Sequence, residues 1–187
     1  PMRPERVMTE IDARLGSDAI VVADASYSSI WVTNFIRAKR AGMRFITPRG
    51  LAGIGWGLPL AIGAKTAAPE APVVCVAGDG GFAHVWAELE TARRMDIDLT
   101  MVLLNNGVLG YQKHAETHRF GEYTDACDFT EVDHAAVARA CGWEATRVHE
   151  VEALAEALDR GIGQGRHFIE AMIDPAAFPP ITYMDTD

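Results

Sequence analysis

The sequence predicts an α/β fold, a three-layer domain whose mainly parallel sheet of about six strands is flanked by helices on both faces. Three observations predict it. Short apolar runs rich in valine and isoleucine alternate with helix-period segments along the chain. Several of these runs are continuously apolar, Val73–Ala77 above all, as strands covered on both faces require. And 187 residues, 49% of them hydrophobic, suffice for one domain with a sizeable core.

The elements follow in order. After a lead-in at residues 1–4, apolar residues at Val7, Met8, Ile11 and Leu15 mark a helix over 5–15. Ala19–Ala23 is a short buried strand ending at Asp24, and 28–36 reads as a helix. Arg44–Ile46 is a brief strand stopped by Pro48. Gly50, Gly53, Gly55 and Gly57 then call for tight backbone approach to something or for close packing of a helix against the sheet, and 60–67 is a helix of small residues. Val73–Ala77 leads into Gly78-Asp79-Gly80-Gly81, a helical segment, and a second buried strand over 99–104. Residues 111–129 are polar and irregular, read as a broken helix plus a long loop. Asp133 caps a helix that Gly142 stops. Ala145–Val148 is a strand, 151–158 an amphipathic helix, 168–173 the last strand, and 175–187 a tail. A single domain with its core at about 4–174 results, with no repeat or internal linker.

Bulk chemistry excludes some functions. A net charge of -9 and a pI near 5 argue against a nucleic-acid surface, which needs clustered Lys and Arg. No apolar run reaches the roughly 20 residues of a membrane span, and no signal peptide is visible. Cys75, Cys127 and Cys141 are odd in number and lack paired metal spacing. Cys75 and Cys141 read as core residues in a reducing compartment, so a cytoplasmic location is expected.

The chemistry concentrates where the two central strands end. A strand running into a glycine turn and a helix N-terminus suits a phosphate. Asp79 sits within that turn, and a carboxylate beside a diphosphate requires a cation between them. Asn105 and Asn106 close the next strand and offer neutral amide oxygens. Carboxylate, amide and carbonyl oxygens with substrate phosphates make the shell that Mg2+ prefers, so a metal-bridged diphosphate site is expected. Two other readings exist. Residues 78–83 fit the G-x-G-x-x-A dinucleotide fingerprint, but Asn105 stands where that site needs an acid, and Asp79 has no role in it. Alternatively, Gly-Asp-Gly is only a tight turn with Asp79 as a helix cap.

The residues also carry a family resemblance over nearly the whole chain. Gly78-Asp79-Gly80, then residues 81–104, then Asn105-Asn106 resembles the signature of thiamine-diphosphate-dependent enzymes, the acetolactate synthase and pyruvate decarboxylase group. Gly53-Ile54-Gly55-Trp56-Gly57-Leu58-Pro59 is similar to that family's glycine-rich segment. The resemblance implies that Asp79 and Asn106 ligate Mg2+ through side-chain oxygens and Val108 through its carbonyl. It places Gly53, Gly78, Gly80, Gly81, Leu109 and Gly110 with these residues around thiamine diphosphate. Ile54 becomes the apolar wedge beneath the thiazolium, and the Ala52 carbonyl an acceptor for the pyrimidine amino group. The implied reaction is decarboxylation of a small 2-oxo acid, followed by protonation or carboligation.

The resemblance also implies an incomplete site. In this family an activating glutamate belongs to a separate pyrimidine-binding domain, and nothing in these residues resembles it. The expected partner is that domain, from a second chain or from a preceding part of the same polypeptide, in a homo- or hetero-oligomer. In the loop after the motif, His114 is the better candidate for a substrate or proton-transfer role; His118 reads as a solvated loop residue. A competing reading is a non-catalytic regulatory or assembly subunit of the same fold. The retention of Asp79, Asn106 and Ile54 weighs against it.

Overall fold

The computed structural model describes residues 1–181, so the end of the expected tail lies outside the described residues. Six parallel strands form one sheet: β1 (Ile20–Ala23), β2 (Arg44–Ile46), β3 (Val73–Gly78), β4 (Thr100–Asn105), β5 (Glu144–Val148) and β6 (His167–Met172). Their order is β2-β1-β3-β4-β6-β5. In register, Val22 lies beside Cys75, Val76 beside Val102, and Leu104 beside Ala171.

Alternation along each strand divides the core into two layers. Val21, Ala23, Val74, Val76, Val102 and Leu104 point to one face. That face is covered by α1 (Pro4–Arg14), α2 (Tyr27–Phe35) and α8 (Val151–Gly161), which bring Met8, Ile11, Trp31, Leu154 and Leu158 to it. Val22, Cys75, Ala77, Met101 and Leu103 point to the other. There they meet α3 (Gly57–Ala67), α5 (Glu88–Arg94) and α7 (His134–Ala140) through Leu58, Ala61, Leu89 and Ala138. Both faces are therefore apolar, which explains why the strands read as unbroken hydrophobic runs. The expected three-layer α/β domain is present. Among the described residues no helix is long and apolar enough to cross a membrane.

Three local readings need correction. The segment over 111–129 is not a broken helix: α6 (Gly110–Phe120) is continuous, with Gln112 bonded to Glu116 and the Thr117 hydroxyl to the Lys113 carbonyl. It stops at Gly121, whose φ of 78° is the left-handed conformation that ends helices. The helical stretch after Gly78 is two pieces, the single turn α4 (Asp79–Phe82) and α5. Cys141 is only half-buried at the end of α7, whereas Cys75 and Cys127 are buried.

The strand order sets the site's position. From β1 the chain steps outward to β2 and then back across to β3. Loops leaving β1 and β3 thus diverge, and a crevice opens between them at the carboxyl ends of the strands.

Candidate functional site

The crevice is built around two buried aspartates, one ending each of these strands. Asp24 follows β1 and is 1% exposed. Its carboxylate accepts N–H groups from Ala25 at 2.9 Å, Gly55 at 2.9 Å, Trp56 at 3.1 Å and Gly57 at 3.2 Å. Three of these donors are the free N–H groups at the entrance of α3. This is why α3 starts at Gly57, earlier than the small-residue run at 60–67 suggests. Asp24 thereby ties the glycine segment, with Ile54 inside it, to the end of β1. The glycines are required here: a Cβ on Gly57 would lie 3.0 Å from the Asp24 Cβ, and one on Gly81 would collide with Asp24 Oδ2. Within the same loop Ala52 holds φ at 55°, a left-handed conformation unusual for alanine.

Asp79 opens α4 at the end of β3 and is 5% exposed. Burial pushes its carboxyl up to about 6, while the N–H groups of Gly107 and Gly80 pull it back. The Gly107 N–H lies 2.8 Å from Asp79 Oδ2. Among the described residues no cation offsets this buried acid, and the buried Glu170 carboxylate adds repulsion.

The two asparagines that close β4 have different jobs. Asn105 is 4% exposed and donates its amide to Glu170 Oε1 at 2.7 Å, tying β4 to β6. Glu170, fully buried, also accepts the Ala135 N–H at 2.9 Å. Asn106 instead faces the crevice, its Oδ1 accepting the Val108 N–H at 3.3 Å. The turn that follows is pinned by the segment after α6. Leu109 donates to the Cys127 carbonyl at 2.8 Å, and Phe129 to the Gly107 carbonyl at 2.8 Å. A Cβ on Gly80 would lie 2.8 Å from Leu109 and 3.0 Å from Phe129. The polar loop is therefore a clamp on the asparagine turn.

The structure brings most of the expected residues together. Ile54, Gly78, Asp79, Gly80 and Gly81 share the crevice with Asn106, Val108, Leu109 and Gly110. Ile54 and Leu109 also line a wider neighbouring pocket, where Ala52 lies. Gly53 sits between these two in the exposed loop. His114 stands one layer behind. Its Nδ1 is 2.9 Å from the Tyr27 hydroxyl, its ring packs on Tyr27 and Phe178, and burial beside Lys113 lowers its basicity. Tyr27 rather than His114 lines the crevice.

The sequence reading missed Asp24, Glu170 and Ser26. Asp24 was legible only as the end of a strand; three of its four donors lie 31 to 33 residues away. Ser26 has φ 66° and ψ -146°, a region that is essentially glycine's, and nothing in its neighbours signals this.

The residues fit a diphosphate bridged by a hard cation. A buried carboxylate with no cation beside it among the described residues, an amide oxygen and the Val108 carbonyl, which accepts one N–H, from Gly110 at 2.9 Å, and keeps a second lone pair, are oxygen donors of the right kind for Mg2+. The adjoining glycines leave room that side chains would fill.

Comparison with known proteins agrees with this chemistry. The family model described as thiamine pyrophosphate enzyme, C-terminal TPP binding domain, matches residues 24–171. The chain is 31% identical over 170 residues to the acetolactate synthase isozyme 2 large subunit of Escherichia coli (strain K12), covering 90% of this chain and 31% of that protein. It is 32% identical over 163 residues to the sulfoacetaldehyde acetyltransferase of Rhodobacter capsulatus, covering 86% and 28%. A Rhodococcus jostii RHA1 thiamine diphosphate-dependent 4-hydroxybenzoylformate decarboxylase superposes with a TM-score of 0.85 at 24% identity, covering 92% of this chain and 33% of that one. The chain spans about a third of the length of the relatives it matches.

Proposed function

Because this chain belongs to the thiamine pyrophosphate enzyme family as its C-terminal TPP-binding domain, we propose that it supplies the Mg-diphosphate half of the active site of a 2-oxo acid decarboxylase or carboligase. The observation that carries this reading is the buried Asp79, without a counter-cation among the described residues, beside Asn106 in a crevice bordered by Ile54.

Asp79, Asn106 and the Val108 carbonyl would hold Mg2+, and the Gly80 and Gly81 N–H groups would receive the diphosphate. Ile54 would wedge the cofactor from below, its position fixed through Asp24. The Ala52 carbonyl would accept the pyrimidine amino group. When bound, thiamine diphosphate supplies a nucleophilic carbon and a sink for the electron pair that decarboxylation releases. The apolar side chains around Ile54 would exclude water and strengthen every electrostatic contact within. Activation of the cofactor would come from a separate pyrimidine-binding domain, on a second chain or elsewhere in the same polypeptide.

The test is assembly. With a partner supplying that domain, the protein should bind thiamine diphosphate only when Mg2+ is present and should release CO2 from pyruvate or a related 2-oxo acid. The chain by itself should not turn over. Turnover by the isolated chain would reject the split site; an assembled protein without Mg2+-dependent cofactor binding would favour the non-catalytic reading. In the active assembly, His114→Ala is expected to lower turnover about 10-fold while cofactor affinity changes less than about 2-fold. His114 would act through Tyr27, so His114→Gln, which keeps a hydrogen-bonding group, should recover part of the loss. Unchanged turnover in His114→Ala would end that role.

A further inference from the structure

The pocket beside the crevice carries a cation to which the proposed function gives no role. It encloses about 750 Å³, and Ile54 and Leu109 join it to the diphosphate crevice. Its walls are mostly apolar, including Ile30 and Ile181. Arg49 stands among them. No carboxylate of the described residues lies within ion-pair distance of its guanidinium, although the chain carries a net charge of -9 and most of its other arginines are ion-paired.

Arg49 is nevertheless anchored. It donates from Nη1 to Ser29 Oγ at 3.3 Å. Ser29, 1% exposed, donates its hydroxyl in turn to the carbonyl of Ser26 at 2.9 Å. Ser26 is the residue in the glycine-like conformation and lines both the crevice and the pocket. A relay through a buried hydroxyl thus steadies a guanidinium at an apolar pocket. Such a group binds carboxylates and related anions through paired N–H donors.

The reacting carboxylate is a poor match for it. That charge disappears as CO2 leaves, so a cation on it would stabilise the ground state more than the transition state and slow the reaction. A second anionic group, remote from the bond that breaks, keeps its charge throughout. Binding energy gained there can hold the substrate in place without opposing the chemistry.

We propose that Arg49 is a specificity-determining residue that binds a second anionic group, a distal carboxylate or its equivalent, on the 2-oxo acid or on the acceptor carbonyl compound. This rests on the reading of the crevice as a thiamine diphosphate site and extends it to the substrate class.

The experiment uses the full-length or assembled protein loaded with thiamine diphosphate and Mg2+. Calorimetry with the unreactive pair glutarate and pentanoate isolates the distal charge from turnover. Glutarate should bind at least about 10-fold more tightly than pentanoate, and Arg49→Gln should remove that preference without changing pentanoate affinity. Turnover of 2-oxoglutarate should likewise exceed that of 2-oxopentanoate in kcat/KM, with the ratio collapsing in Arg49→Gln and partly recovering in Arg49→Lys. Equal affinities for the two diacid and monoacid probes in the native protein overturn the proposal. So does an Arg49→Gln variant whose affinity for thiamine diphosphate falls instead, because the anion is then the cofactor's own diphosphate. If the glutarate preference holds but no 2-oxo acid is decarboxylated, the Arg49 assignment stands and the proposed reaction fails.

Discussion

In protein freed of divalent cations, Asp79→Asn should raise the melting temperature at pH 7.5 and, in the same molecule, reduce Mg2+-dependent binding of thiamine diphosphate by at least about 100-fold. The two effects have one cause. Asp79 is buried at a site that suits a charge only when a cation arrives. Its carboxyl titrates at about 6 in the folded chain, against 3.8 for the exposed group. A raised folded-state value means that Asp79 supports the fold below the unfolded pKa and that this support is lost as pH rises through about 6. The shift of about 2 units corresponds to roughly 3 kcal/mol by the time the group is fully ionised. Asparagine keeps an acceptor for the Gly107 N–H and removes the charge, so the gain should reach about 4 °C or more at this chain length. Below about pH 4 the difference should vanish. Thermal melts of both proteins across pH 4–8 with chelator, repeated with Mg2+ and cofactor, measure each arm. A variant less stable than the native protein at pH 7.5 would show that the ionised carboxylate is not penalised.

The second large effect is expected at Asp24. Its carboxylate is the shared acceptor for four backbone donors in the interior. Asp24→Ala leaves these N–H groups without a partner, a loss of roughly 3–5 kcal/mol in chemical denaturation. Asp24→Asn, with one acceptor oxygen left, should lose less. Stability alone does not separate this residue from any other buried one. Leu154→Ala, a core truncation beneath α8 with a cost of about 2–5 kcal/mol, is the control. At matched destabilisation Asp24→Asn should weaken cofactor binding in the assembled protein about 10-fold more than Leu154→Ala, because Asp24 fixes the segment that holds Ile54. Equal effects would reduce Asp24 to a structural role.

The two aspartates differ although both end strands and both are nearly inaccessible. Asp24 receives four backbone dipoles and is a finished piece of structure. Asp79 receives fewer, and the Glu170 carboxylate repels its charge where a cation would offset it. A similar division separates Asn105, spent on Glu170, from Asn106, which faces the crevice. In each pair the proposed metal ligand is the member with fewer hydrogen-bond partners.

What the sequence by itself determined is the layer architecture and the place of the chemistry. Continuous apolar runs such as Val73–Ala77 require a sheet covered on both faces, and a carboxylate among glycines at a helix start would require a cation beside any diphosphate bound there; both are local demands of burial and charge. Tertiary structure alone decided which strands lie side by side, and hence that the β1 and β3 loops open at one crevice. It also decided that Asp24 reaches Gly55 and Gly57, that Asn105 reaches Glu170, and that Ser29 carries Arg49 onto Ser26. These contacts join residues many positions apart. Periodicity and turn chemistry act over a few residues, so they say which groups must be satisfied and leave the partner to the packing of the sheet.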